Sequence, residues 1–99
     1  MTLFEWDEAK AASNRRKHGL NFESGMLVFS DSSAISEPDR IVDGELRWQV
    51  VGMFEDRALL TVACTINQEG LDEVVRIISV RRATRRERIA YEQNRQENN

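Results

Sequence analysis

Three strand-type runs follow one another between residues 46 and 81, and they constrain the fold of this chain more than any other feature. Residues 46–54 alternate so that the two faces of the strand carry different side chains. Residues 59–66 are nearly all apolar or β-branched, which is typical of a buried central strand. Residues 73–81 form the third run, and only short turns separate the three. Such short connections join antiparallel neighbours, so the sequence predicts a β meander.

Helix signals flank this meander on both sides. Asp7 is a good N-cap for a first helix that runs to about Lys17, and Gly19 stands where a left-handed C-cap residue belongs. A second short helix is predicted over residues 22–29, after Asn21. Thr84-Arg85-Arg86-Glu87 matches the capping box and opens a third helix.

Two weaker strand signals complete the predicted α+β fold. Residues 3–6 indicate an edge strand, and residues 34–37 indicate a short strand that ends before Pro38. We therefore expect N-terminal helices and a C-terminal helix packed on a mainly antiparallel sheet of four or five strands.

Length and composition set further limits. Ninety-nine residues predict a single domain over 1–99, with the polar residues 93–99 as a frayed tail. The one cysteine, Cys64, excludes an internal disulfide and lies in an apolar run, as a small core residue would. One histidine, one cysteine and no glycine-rich phosphate loop predict neither a metal nor a cofactor. The chain lacks a membrane-length apolar run and a secretory signal, so we expect a cytoplasmic protein.

Positive charge is concentrated at the carboxyl end of an acidic chain. The formal net charge is -3, yet residues 74–99 hold seven arginines against three glutamates. Arg85 and Arg86 occupy the first turn of the third helix, where a cation opposes the helix dipole at a cost of about 0.3–1 kcal/mol. Together with Arg81 and Arg82 they indicate an anion site, and a phosphate chain is the expected anion. The alternative is a solvated charged surface.

Three more residues are candidates for chemistry. Arg76 interrupts an apolar strand, so its guanidinium needs water, a carboxylate or a ligand. Strict alternation puts Arg76 and Arg81 on opposite faces unless a bulge intervenes. His18 has the side chain best suited to acid–base work at neutral pH, although a histidine at a helix end can instead bond the last carbonyls. Arg47 interrupts its strand in a similar way, and it can bind a ligand or pair with a nearby acid such as Glu45 or Asp43.

The order and spacing of these residues resemble BrnT-type toxins over roughly residues 4 to 92. The family has an F-x-W/F-D start, then K-x-x-x-N-x-x-K-H-G and F-x-x-(A/G)-x-x-V-F-x-D. These patterns are carried here by Asp7, Lys10, Asn14, Lys17, His18, Gly19, Phe22, Val28, Phe29 and Asp31. A G-E-x-R motif and the pattern R-I-I-S-A-R-x-A-x-x-x-E-R-x-x-Y are carried by Gly44, Glu45, Arg47, Arg76, Ile77, Ile78, Ser79, Arg81, Ala83, Glu87, Arg88 and Tyr91. Val80 replaces the usual alanine of the last pattern, Glu8 stands where proline is common, and Gly25 stands where alanine is common.

The resemblance implies a RelE-like fold and a metal-independent endoribonuclease of a type II toxin–antitoxin module. It also implies a ribbon-helix-helix antitoxin of the BrnA type, a two-plus-two complex and contact with DNA only through that antitoxin. Arg47, Arg76 and Arg81 would then clamp phosphate, since guanidinium groups bind it bidentately. His18 would serve as acid or base, with Lys17 or Glu45 as replacements, and Ser79 would position the ribose 2′-OH. Arg82, Arg85 and Arg86 would bind RNA.

A second function remains open at this point. Residues 32–73 hold nine acids against three basic residues, which is unusual for an RNA-binding protein and suits a basic partner. The chain could therefore be a non-catalytic module that acts with an antitoxin-like protein as a co-repressor.

Overall fold

The computed structural model describes residues 1–97 and is built on one five-stranded sheet in the order β1–β5–β4–β3–β2. The elements are β1 (Thr2–Glu5), α1 (Glu8–His18), α2 (Phe22–Val28), β2 (Ile35–Val42), β3 (Glu45–Phe54), β4 (Ala58–Glu69), β5 (Asp72–Arg82) and α3 (Arg85–Glu97). Strands β2 to β5 form an antiparallel meander, and β1 pairs in parallel with β5. The predicted α+β class, with helices on a mainly antiparallel sheet, is confirmed.

The main core lies between one face of the sheet and helices α1 and α2. Phe22 and Val28 of α2 pack there against Val62 and Cys64 of β4. Burial, with a smaller contribution from the charge of Glu73, raises the pKa of the Cys64 thiol to about 12. Cys64 is thus the inert core residue that the sequence predicts.

Gly25 lets α2 approach the sheet closely. A Cβ atom at this position would lie 2.7 Å from Cγ2 of Val80, which is closer than carbon atoms pack. Glycine at position 25 and valine at position 80 both depart from the family pattern, and here they face one another. The extra bulk of Val80 fills the space that an alanine at position 25 would take.

Asn14 fastens α1 to β5. Its side-chain amide donates to the carbonyl of Val80 at 2.9 Å, and its side-chain oxygen accepts from the Val80 N–H at 3.0 Å. The same amide nitrogen donates to the carbonyl of Leu20 at 3.1 Å. This buried side chain therefore bonds β5 as a neighbouring strand would, which sets the position of α1 along β5.

Helix α3 covers part of the opposite face of the sheet, where Tyr91 packs with Val51 and Leu59. The Tyr91 hydroxyl donates to Asp31 at 2.6 Å. The predicted capping box is confirmed, because the Glu87 N–H donates to the Thr84 hydroxyl at 3.2 Å and the Glu87 carboxylate accepts from the Thr84 N–H at 2.8 Å.

The helix continues through residues 93–97, where the sequence predicts a frayed tail. Asn94 donates to the Ser33 carbonyl at 3.0 Å and ties this last part of α3 to the body of the protein. Residues 98 and 99 of the predicted tail lie outside the described residues. Within residues 1–97, no helix is long and apolar enough to cross a membrane.

Strand β2 differs from its prediction at the carboxyl end. It runs from Ile35 to Val42 and passes through Pro38, which lies opposite Trp48. The expectation that this strand ends before Pro38 is therefore wrong. Because β2 is at the edge of the sheet, proline can be accommodated there, and the register shifts between Pro38 and Ile41.

Candidate functional site

A β-bulge in β5 sets the direction of the arginine side chains. Ala63 pairs with Ser79, whereas the next residue, Cys64, pairs with Ile77, so Ile78 is the extra residue of β5. The bulge reverses the alternation between Arg76 and Arg81. Both arginines therefore point to the face that α3 partly covers, although strict alternation would place them on opposite faces.

Arg47 and Arg76 meet in a cavity of about 200 Å³ on this face, which we call the arginine cavity. It is lined by Lys10, Val42, Asp43, Glu45, Arg47, Thr65, Arg76 and Ile78. Thr65 is the register partner of Arg76. Trp48 pairs with Cys64, so one step further along the antiparallel register places Arg47 opposite Thr65. Three adjacent strands thus contribute Arg47, Thr65 and Arg76 to one row across the sheet.

Positive charge exceeds negative charge in the cavity lining, which holds Lys10 and two arginines against two carboxylates. The ion pairs formed within residues 1–97 are Met1 with Asp72 and Arg81 with Glu87. Arg47 and Arg76 therefore have no ion-pair partner in this part of the chain. Glu45 accepts a hydrogen bond from Asn67 at 3.3 Å. Two free guanidinium groups can bind a phosphodiester, and the carboxylate of Glu45 beside them can accept a proton.

Arg76 also lines a shallower neighbouring depression with Glu5, Trp6 and Asp7. Glu5 is its register partner on β1. The exposed Arg76 side chain thus lies at the border of two surface features, and only the arginine cavity also holds Arg47.

Arg81 lies outside this cavity and is already paired. Its guanidinium donates to both carboxylate oxygens of Glu87, at 2.8 and 2.9 Å, and Thr61 donates to the same carboxylate at 2.9 Å. The hydrogen bonds from Arg81 lower the pKa of Glu87 to about 2, and this pair in turn raises the pKa of Arg81. Arg81 lies five positions after Arg76 on β5, which corresponds to about 15 Å of strand. The two side chains therefore do not share one phosphate in this conformation.

The structure places the two predicted residues of the K-H-G motif away from the arginine cavity. Lys17 and His18 end α1, whereas Lys10 is the residue of this helix that lines the cavity. His18 lies eight positions after Lys10 on this helix, which corresponds to about 12 Å along the axis. Lys17 is exposed, and His18 is partly buried.

The remaining predicted residues follow Arg76 along the chain. Ser79 lies beside the bulge, opposite Ala63, and is partly buried. Arg82 is exposed at the end of β5, and Arg85 and Arg86 are exposed in the first turn of α3. Arg86 lines a separate groove between α3 and strands β2 and β3. The structure thus brings Glu45, Arg47 and Arg76 together and distributes the other predicted residues around α3 and α1.

Sequence reasoning gave no role to two of the polar residues that line this cavity, Lys10 and Thr65. Lys10 was visible only as a member of the family pattern, without a role. Thr65 had no signal, because threonine is ordinary in a buried strand. Among residues 1–97, no three His, Cys, Asp or Glu side chains are grouped in a way that could hold a metal ion.

Comparisons with known proteins agree with this architecture. A family model described as the ribonuclease toxin BrnT of type II toxin–antitoxin systems matches residues 6–87. The 1.1 Å crystal structure of the Brucella abortus ribonuclease toxin BrnT is similar over 86% of this chain and 99% of its own, with a TM-score of 0.63 and 26% sequence identity. A comparison with curated protein sequences gives no match.

Proposed function

Because this chain belongs to the BrnT family of ribonuclease toxins of type II toxin–antitoxin systems, we propose that it is a metal-independent endoribonuclease with its active site in the arginine cavity. The observation that carries this proposal is the pair Arg47 and Arg76, which line one cavity without an ion-pair partner among residues 1–97. Unpaired guanidinium groups on a rigid sheet are ready to bind the phosphate of an RNA chain.

The cleavage step needs a base, an acid and cations around the phosphorus. In the proposed reaction the ribose 2′-oxygen attacks the adjacent phosphorus, and Glu45 accepts the proton of the 2′-OH. The bond from phosphorus to the 5′-oxygen breaks, and Lys10 donates a proton to that leaving oxygen. The products are a 2′,3′-cyclic phosphate and a 5′-hydroxyl. Arg47 and Arg76 stabilise the charge that grows on the non-bridging oxygens. In this assignment the guanidinium side chains supply the positive charge that a metal ion supplies in metal-dependent nucleases.

The other predicted residues have more distant roles in this proposal. Arg82, Arg85 and Arg86 are exposed and would contact RNA beyond the cleaved bond. Arg81 would join them only after it leaves Glu87. Family membership supports an antitoxin partner. We assign it to the BrnA type, in a two-plus-two complex that contacts DNA only through the antitoxin.

Substitution of the two cavity arginines tests the proposal. We expect Arg47→Ala and Arg76→Ala each to slow RNA cleavage by about 100-fold or more, since each removes a donor to the transition state. The assay uses the purified full chain with EDTA present, and thermal unfolding checks that each variant folds. Arg57→Ala is the matched control, because Arg57 is exposed in the β3–β4 turn at the far end of the sheet.

RNA cleavage in EDTA, together with the growth of cells that express the chain, separates the ribonuclease from the co-repressor. If the wild-type chain neither cuts RNA in EDTA nor stops growth when expressed without its partner, the enzymatic proposal fails and the co-repressor function takes its place. Equal cleavage by both cavity variants and by Arg57→Ala would move the active site elsewhere.

A further inference from the structure

Thr65 carries a buried hydroxyl that has no hydrogen-bond partner within residues 1–97. The residue is only 3% exposed. Most buried polar groups are hydrogen-bonded, and an unsatisfied one costs about 1–3 kcal/mol. Thr61, four residues earlier on the same strand and 1% exposed, follows the usual rule and donates to Glu87 at 2.9 Å. The unpaired state of Thr65 is therefore a local feature of the arginine cavity and not of the strand.

A second unpaired atom belongs to another residue of the same cavity. Nε of Arg47 is also buried and has no hydrogen-bond partner within residues 1–97. The antiparallel register puts Arg47 opposite Thr65, and both residues line the arginine cavity. Two buried, unsatisfied polar atoms on adjacent strands thus belong to residues that line a single cavity. Each would gain a hydrogen bond if one ligand supplied acceptors to both.

The charge of the lining decides which kind of ligand fits. The Arg47 Nε–H group is a donor only, and a threonine hydroxyl can donate as well. Arg76 and Lys10 add two more cationic donors at the exposed side of the same cavity. A ligand that satisfies these groups must offer several acceptor oxygens and negative charge, which describes a phosphate group.

We propose that the Thr65 hydroxyl and Nε of Arg47 together form the deep part of a phosphate-binding subsite. The inference deepens the proposed function, since this phosphate would be the one next to the cleaved bond. Thr65 is a binding residue here: its hydroxyl and Nε–H donate to the non-bridging oxygens, and Arg76 closes the phosphate in from the solvent side. Both atoms are shielded from solvent before binding, so the long arginine side chains move outward as the phosphate enters.

An unusual combination of effects follows for Thr65→Val. Valine has nearly the shape of threonine and removes the unsatisfied hydroxyl, so the free protein should be as stable as wild type or more stable. The same change removes one hydrogen bond to a charged ligand, which should weaken phosphate binding by about 10-fold or more. Thr65→Ser keeps the hydroxyl and should retain binding.

The experiment measures the rise in melting temperature of the full chain with inorganic phosphate, against chloride at equal ionic strength. We expect a phosphate-specific rise for wild type and Thr65→Ser, and a clearly smaller rise for Thr65→Val without loss of its own melting temperature. Thr61→Val is the matched control. It should melt at a lower temperature, because Glu87 loses a donor, yet keep the response to phosphate.

Two results of the melting experiment would overturn the inference. One is a wild-type chain that responds to phosphate no more than to chloride. The other is an unchanged phosphate response of Thr65→Val, which would show that the hydroxyl does not bind phosphate. RNA cleavage measured in parallel keeps the two proposals apart. A chain that binds phosphate through Thr65 but does not cut RNA contradicts the ribonuclease proposal alone, whereas equal kcat/KM for Thr65→Val and wild type contradicts the role of Thr65 alone.

Discussion

The arginines of this protein differ in whether a carboxylate pairs with the guanidinium group. Arg81 donates to both oxygens of Glu87, whereas Arg47 and Arg76 have no ion-pair partner among residues 1–97. All three were predicted as phosphate clamps from their positions in the family pattern. The structure separates Arg81 from the other two. A paired guanidinium must break its hydrogen bonds before it can bind a phosphate, and an unpaired one need not.

His18 provides the residue-scale prediction. We expect His18→Gln to retain RNA cleavage within about threefold of wild type, because the histidine ends α1 about 12 Å along the helix axis from Lys10. Lys10→Ala should instead reduce the maximal rate strongly, since Lys10 lines the cavity. Single-turnover cleavage of one RNA by both variants makes the comparison. A complete loss of cleavage in His18→Gln with unchanged thermal stability would return the histidine to the mechanism.

At the scale of elements, two features of β5 position the candidate site. The bulge at Ile78 turns Arg76 and Arg81 to the same face of the sheet. Asn14 bonds Val80 on the neighbouring stretch of β5 and thereby fixes the register of α1, which carries Lys10 to the cavity. Asn14, which is part of the family pattern, therefore has a structural role: it holds α1 in place on the sheet.

Asn14→Ala tests this docking. We expect the free energy of unfolding to fall by about 1–3 kcal/mol, because the substitution leaves both backbone groups of Val80 without their partner. Denaturant unfolding measures the change. Asn21→Ala is the control: this exposed asparagine makes no side-chain bond to α2 and accepts a solvent-exposed hydrogen bond from Arg15 at 3.2 Å, so its replacement should cost less than about 0.5 kcal/mol. Equal losses for the two variants would contradict the anchoring role.

At the scale of the whole molecule, two carboxylates join distant parts of the chain. Asp31 accepts from the Tyr91 hydroxyl and from the Met53 N–H, and Glu87 accepts from Arg81 and Thr61. Burial by itself raises the pKa of Asp31, but its hydrogen bonds outweigh burial and the net pKa is lowered. Both acidic groups connect the C-terminal helix to the rest of the fold.

Low pH should therefore weaken the hydrogen bonds that hold α3 to the rest of the fold. The folded pKa of Glu87 lies at about 2, below its ordinary value of 4.5, so its contribution to stability is complete above pH 4.5 and is lost as the pH falls toward 2. We expect Glu87→Gln to lose roughly 2 kcal/mol at pH 7 and to show a flatter decline of stability between pH 4.5 and 2. Denaturant unfolding across this range provides the measurement, and a parallel decline in variant and wild type would contradict the prediction.

The sequence by itself determined the strand meander, the capping box at Thr84 and the left-handed Gly19 that ends α1, because these follow from alternation and local hydrogen bonds between residues close in the chain. It also identified Arg47 and Arg76 as polar interruptions of apolar strands. Only the tertiary structure decided which arginines share a cavity, since that depends on the bulge at Ile78 and on the Arg81–Glu87 pair across a strand and a helix. The role of Thr65 also depends on the tertiary structure. Threonine is a common residue in strands, and only the surroundings of this one leave its hydroxyl without a partner within the described residues.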